Sequence, residues 1–290
     1  MSDSWFWSKI GADYGALLSH TKPLRELLSG STSADRAAAR IASDGFGQED
    51  ADWRLWTIVF DAAAELPDTH AALLDLLVEL QKLSDFSSPH TDDAAAANVA
   101  GWLNQFGSNW RDRHDILLAR RDGSFDKPNA AEQPSSTRPH EKWINFTCFS
   151  AKLLAAPFPS PAADSLGALA ALRDALEQEP SDYYNDCEAR KAKANDNRPA
   201  GLKPQEMLAL DVTAAAQWVL YAAPVIRSKT ERPECVTRSL PANTGLWKGD
   251  AGFSPERWSF WKERFQALAE REDLGQDMRA IAKEAADRME

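Results

Sequence analysis

Apolar residues recur along this chain with the spacing of one helix face, and almost nowhere with the alternation of a strand. Trp53, Trp56 and Phe60 fall three and then four residues apart, and Leu55, Val59, Ala62 and Leu66 widen the face they make. Arg54, Asp61 and Glu65 leave a narrow polar edge, so the segment reads as a helix buried over most of its surface. Pro67 breaks it. Asp68 is placed to cap a second helix carrying Leu73, Leu74, Leu76, Leu77, Val78 and Leu80, which predicts an antiparallel hairpin. Two further helices are expected, Thr91 to Phe106 and Trp110 to Ala119, the first opened by Thr91, Asp92 and Asp93 and stopped near Gly107.

From Arg120 to Pro139 the apolar content collapses into a polar, proline-bearing connection. His140 to Ala156 restores the helical pattern through Trp143, Phe146, Phe149 and Leu153, and Pro157, Pro159 and Pro161 end it. Ser165 to Gln178, Pro204 to Ala223, Ser254 to Arg271 and Gln276 to Met289 continue the series. Tyr183 to Leu202 and Arg227 to Asp250, rich in charge, asparagine and proline, read as long loops. The longest β-branched candidates, around Thr57 to Val59 and Val225 to Ile226, are too short for strands. The pattern predicts an all-α bundle of about ten helices in orthogonal and antiparallel packing, with long loops near 120–139, 183–202 and 227–250. It forms one helical domain over 1–290, or two lobes, 1–119 and 140–290.

The last third carries the clearest local signals. Ser254 can cap a first turn, Pro255 suits the first helical position, and Glu256 complements the positive end of the helix dipole. Trp247, set between Gly245 and Gly249, is expected to pack its loop down.

Composition narrows the partners. A formal net charge of −11 opposes attraction to phosphate backbones and anionic lipid, so nucleic acid is not an expected partner. The basic run from Glu188 to Arg198 is interleaved with acids and reads as a solvated loop. Cys148, Cys187 and Cys235 lie far apart and form no Cys-x-x-Cys pair, which suits a reducing compartment. The start, Met-Ser-Asp-Ser-Trp-Phe-Trp-Ser-Lys, lacks the basic and long apolar stretches of an export signal, and no charge-free apolar run of membrane-spanning length occurs. A cytoplasmic location without membrane insertion is expected, the nucleus being left open.

The chain offers little for standard chemistry. His20, His70, His90, His114 and His140 are scattered, and none has a histidine or cysteine partner three or four residues on for a metal. His114 beside Asp115 and His140 beside Glu141 have the setting of solvated histidines more than of oriented acids or bases. There is no glycine-rich dinucleotide fingerprint, Walker loop or nucleophile elbow. Asp92–Asp93 and Asp50 with Asp52 sit where helix starts favour negative charge. Cys148, between Phe146 and Phe149, reads as a small core residue. No cofactor and no metal is expected, and hydrolase, oxidoreductase and metalloenzyme chemistry are disfavoured.

The block Trp143-Ile-Asn-Phe-Thr-Cys-Phe149, the Gln217–Trp218 pair, and Gly245-Leu-Trp-Lys-Gly249 followed by Gly252-Phe-Ser-Pro-Glu-Arg-Trp-Ser-Phe-Trp-Lys262 resemble the fungal family catalogued as domain of unknown function 3632. The resemblance covers roughly two-thirds of the chain. It implies an all-helical, intracellular protein of a filamentous fungus and carries no activity or catalytic residue with it.

What remains is aromatic surface: eleven tryptophans, twelve phenylalanines and four tyrosines. So many indoles on helix faces make either an aromatic core or a cavity with aromatic walls. Asn145, Gln217 and Tyr221 set uncharged hydrogen-bonding groups on apolar helices, where a buried amide needs partners. Trp143, Asn145, Trp218 and Tyr221 are therefore the candidate wall and donors of a pocket, with Trp247, Trp258 and Trp261 as the scaffold of a covering loop. Two functions fit this reading. One is binding of an apolar small molecule in an aromatic-lined cavity, extending to cofactor-free, pericyclase-like cyclisation or isomerisation in fungal specialised metabolism. The other is a noncatalytic helical protein-interaction or regulatory module.

Overall fold

The computed structural model describes residues 3–10, 15–44, 50–85, 94–124, 137–157, 165–193, 201–230, 245–249 and 251–290. Among these residues the chain is all-α, with twelve α-helices and no strand, only an isolated bridge between Ile10 and Ala16. The described helices group into two compact units. The first holds α1 (Asp3–Ser8), α2 (Leu18–Leu28), α3 (Ala34–Asp44), α4 (Ala51–Glu65), α5 (His70–Asp85) and α6 (Ala94–Arg120) as far as Leu118. The second holds α7 (Pro139–Ala155), α8 (Ser165–Leu176), α9 (Pro180–Lys193), α10 (Pro204–Thr230), α11 (Pro255–Glu270) and α12 (Gln276–Arg288).

In the first unit α4 is buried over most of its surface, as its pattern predicts: Leu55, Trp56, Ile58, Val59, Phe60, Ala62, Ala63 and Ala64 are inside. The Trp56 ring meets Phe106 of α6 edge-on at 4.9 Å, and Phe60 meets the same ring at 5.2 Å. Both are favourable aromatic geometries. On α3, Ala37, Ala38 and Ile41 are fully buried, and the small volume of the two alanines lets α2 and α5 pack closely against it.

In the second unit α10 is the hub, packing against α7, α8, α9, α11 and α12. Val212, Ala215, Ala216, Val219, Ala222 and Ile226 are fully buried along it. By length and composition alone α10 could cross a membrane, and over half of that apolar stretch is covered by neighbouring helices, which is how a core helix reads. At α11 the expected start signal is realised. Ser254 Oγ accepts from the Arg257 amide at 3.1 Å, Pro255 opens the helix and Glu256 lies in its first turn.

Several boundaries differ from expectation. The two helices expected over 91–106 and 110–119 are one, because Phe106 and Trp110 continue a single buried stripe through Gly107 and the glycine costs only about 1 kcal/mol in a helix held by packing. Thr91, Asp92 and Asp93, its expected start, lie outside the described residues. The loop expected over 183–202 is helical as far as Lys193. Pro180 starts α9, Asp182 lies in its first turn, and Tyr183 and Cys187 bury one face of an otherwise charged helix. Likewise α10 runs through Arg227 to Thr230. Asp68 sits in a short 3-10 turn, Pro67–Thr69, and α5 begins at His70. Asp50 has left-handed backbone, φ 55°, and makes no side-chain cap bond, so only Asp52 serves the helix start. The first fifty residues, for which no helix was expected, hold α1, α2 and α3. Neither Cys148 nor Cys187 is in a disulfide, and Cys235 lies outside the described residues.

The Gly245–Gly249 loop is held against the C-terminal end of α8. The Leu246 amide donates to the Glu177 carbonyl at 2.7 Å. Gly245 has φ +55°, and a Cβ there would stand 2.2 Å from that carbonyl oxygen. At Gly249 a Cβ would stand 2.3 Å from the Trp247 ring. Both glycines are thus fixed by contact. Gly123, with φ +77° and open space around it, isolates the backbone cost alone. Gly123→Ala is expected to lose about 1 kcal/mol, and Gly245→Ala about 2–3 kcal/mol beyond that. Equal urea midpoints for the two variants would refute the close approach.

Candidate functional site

The four pocket candidates fall on one helix pair of the second unit. Trp143 and Asn145 stand on α7, Trp218 and Tyr221 on α10, and these helices pack together. Trp143 and Trp218 are 4% and 2% exposed, within the apolar core, and Asn145 is half-buried. Tyr221 stands at the surface, 42% exposed, with the Lys152 ammonium 4.7 Å from its ring centre. Partial burial and a hydrogen bond with the Cys148 thiol push its phenol pKa up. Two indoles therefore face inward and the tyrosine outward.

Two of the scaffold tryptophans, Trp247 and Trp261, flank a buried ion pair that the sequence reading did not single out, whereas Trp258 Nε1 donates to the Met289 carbonyl at 3.4 Å. Glu177, fully buried at the end of α8, receives Arg257 Nε at 2.7 Å on one oxygen and the second terminal nitrogen at 2.9 Å on the other. Trp261 Nε1 donates to the same carboxylate at 2.9 Å, and the remaining Arg257 nitrogen donates to the Gly252 carbonyl at 2.8 Å. The guanidinium also lies over the Trp261 and Trp247 rings, at 5.1 and 5.7 Å. Arg264 adds hydrogen bonds to the carbonyls of Leu176 and Gln178, answering acceptors that the end of α8 leaves open. Every charge here is matched, so the arrangement clamps loop, α8 and α11 together and leaves no group poised for reaction.

Two further ionic clusters have the same character. Asp211 on α10 takes both Arg121 and the Tyr183 hydroxyl, the latter at 2.6 Å. Burial first, then the adjacent Asp211 carboxylate, pushes the Tyr183 phenol far up, so it stays a proton donor. In the first unit Asp61, assigned to a polar edge by its spacing, is 8% exposed and pairs with Lys9 at 2.7 Å and with Arg113. Glu65 takes Lys9 at 3.1 Å and the Trp5 indole at 2.8 Å. Among the described residues no group of three His, Cys, Asp or Glu side chains is placed to hold a metal.

Open space is found elsewhere in the first unit. Phe6, Trp7 and Ile10, from α1 and the turn after it, face Leu18, Thr21, Lys22 and Arg25 of α2 across a half-open groove of about 270 Å³. Phe6 is buried, whereas Trp7 and Leu18 are 58% and 55% exposed. Thr21 Oγ1 donates to the Leu17 carbonyl at 2.8 Å, so the side-chain cations are the lining's remaining polar groups. No sequence signal marks this groove, because both the exposure of Trp7 and Leu18 and their proximity are tertiary facts.

Behind the groove His20 is fully buried on α2, and desolvation lowers its pKa to about 4. His114 stacks on Trp110 at 5.1 Å, and burial lowers its pKa against the opposing pull of Asp115.

A family model described as protein of unknown function (DUF3632) matches residues 56–265. No curated protein and no solved structure matches the chain.

Two outcomes are expected from the buried groups. Glu177→Gln leaves the Arg257 charge uncompensated and is expected to cost about 3–5 kcal/mol in chemical denaturation; a loss below about 1 kcal/mol would mark the pair as solvated. For His20 the unfolded imidazole protonates near pH 6.5 and the folded one near 4. Its contribution is therefore complete above pH 6.5 and lost as pH falls toward 4, by about 3 kcal/mol in all. His20→Leu should flatten that part of the stability–pH curve relative to the parent, and parallel curves would remove the assignment.

Proposed function

The chain belongs to the DUF3632 family, whose description assigns no activity, and from the chain's own structure we propose that it binds an apolar small molecule reversibly, in the groove between α1 and α2. The observation that carries this reading is the groove itself: about 270 Å³ of half-open space bounded by two aromatic rings, Ile10 and Leu18. That volume sits just below the usual span of small-molecule sites, about 300–1,000 Å³. Removing the exposed faces of Trp7 and Leu18 from water supplies a driving force in proportion to area. The ligand is read as an apolar product of fungal specialised metabolism. Any reaction on it is a cofactor-free cyclisation or isomerisation guided by shape, since the lining contributes no thiol or carboxylate.

A second reading draws support from the 58% exposure of Trp7, which suits an anchor residue of a protein-docking surface. Noncatalytic association of a partner helix would cover the same side chains.

The test is ligand-dependent thermal melting of the full chain with fractionated apolar extracts of its host, bound species being identified by native mass spectrometry. A ligand at a hundred times its Kd adds about 2.7 kcal/mol to stability. Trp7→Ala is expected to abolish the shift and Asn145→Ala to keep it. The reverse pattern would move the site to α7 and α10, and no small-molecule shift with any fraction would overturn the proposal.

A further inference from the structure

Resting on the groove reading above, we infer that the ligand is an amphipathic anion: an apolar chain with one carboxylate-like head. The groove's chemistry is asymmetric. Phe6, Trp7, Ile10 and Leu18 supply its apolar lining, and Lys22 and Arg25 supply its charge. These two cations stand three residues apart on α2 and are therefore neighbours on one helix face. Lys22 is exposed, and its ammonium has no partner among the described residues. Arg25 is only loosely engaged, 3.5 Å from Asp3, whose side chain is 74% exposed. A pair so long and so wet contributes little and yields to an incoming anion.

The surrounding charge sharpens the inference. The chain carries −11 overall, so its long-range field disfavours anions. Two cations bordering the apolar groove are a local reversal of that field and not one part of a basic surface. An uncharged ligand would leave Lys22 unanswered and Arg25 with only its long contact to Asp3, and a cationic one would meet both as like charges. A carboxylate or sulfate head at Lys22 and Arg25, with its chain laid along Trp7 and Leu18, satisfies both halves of the lining at once. The modest volume selects a single short chain over a bulky polycyclic molecule.

Calorimetric titration of the full chain with decanoate, decanol and decyltrimethylammonium, each below its micelle-forming concentration, tests this directly. Decanoate is expected to bind about tenfold or more tightly than decanol, the worth of one charge-assisted contact, and decyltrimethylammonium not measurably. The Lys22→Gln/Arg25→Gln double variant should erase the preference while leaving decanol unchanged, and Trp7→Ala should weaken both. If decanol matches decanoate in the parent protein, or the double variant keeps the preference, the anionic head is refuted while the groove reading stands. If neither chain binds, or Trp7→Ala leaves both affinities unaltered, the groove reading falls with it. The comparison of the three probes needs no variant, so it survives any folding defect.

Discussion

The Glu177–Arg257 pair is the constraint on which the second unit depends. Taking both charges out of water costs several kcal/mol each (about that scale for a buried ion), and the structure offsets it only because every strong donor and acceptor is answered. Two nitrogens of Arg257 meet the two carboxylate oxygens, a third meets Gly252, and Trp261 completes the set. Those contacts join residues 80 positions apart. The backbone of Glu177 separately dictates glycine at 245, since the chain passes directly against its carbonyl. A hydrophobic pair of the same volume could hold α8 to α11, but would not specify the path of the loop. The ion pair specifies it through hydrogen-bond direction.

This explains which features could be read from the chain in advance. The cap at Ser254, the opening Pro255 and the packed Trp247 are local, and short-range chemistry determined them. The buried faces of α4 and α10 were likewise legible, because helical periodicity reports burial directly. Glu177 was not. A glutamate at the end of an apolar helix has the same local signature whether solvent or a distant arginine meets it. Asp61 failed in the same way, its partners Lys9 and Arg113 lying 52 residues away on either side. The merged α6 and the unforeseen α9 show the complementary error, in which glycine or charge predicts a break or a loop and tertiary packing overrides it.

The candidate site divides along the same line. Trp143 and Trp218 were chosen for aromatic content, and aromatic content on a buried helix face reports packing before it reports a ligand. The groove, by contrast, is made of residues whose sequence context was uninformative, on helices that no pattern announced. It also lies outside residues 56–265, the segment matched by the family model. Glu177, Arg257 and Trp261 of the clamp fall inside the matched segment, and the α1–α2 groove belongs to the flanking part of the chain.

That placement raises the question of what keeps the groove formed, since an isolated six-residue helix is unstable in water. The answer is a division of faces on α1. Trp5 and Lys9, one turn apart, reach to Asp61 and Glu65 on α4, and the Lys9 ammonium also lies 5.2 Å from the Trp5 ring. Phe6 and Ile10, offset by one residue and again one turn apart, line the groove with Trp7. The Ala16 amide closes the following turn on the Lys9 carbonyl at 2.7 Å. One wall of the groove is thus a helix held by polar contacts on one side and free to bury a ligand on the other. Its position rests on α4, a helix buried over most of its surface, and the buried Phe6 ties the groove to the same core.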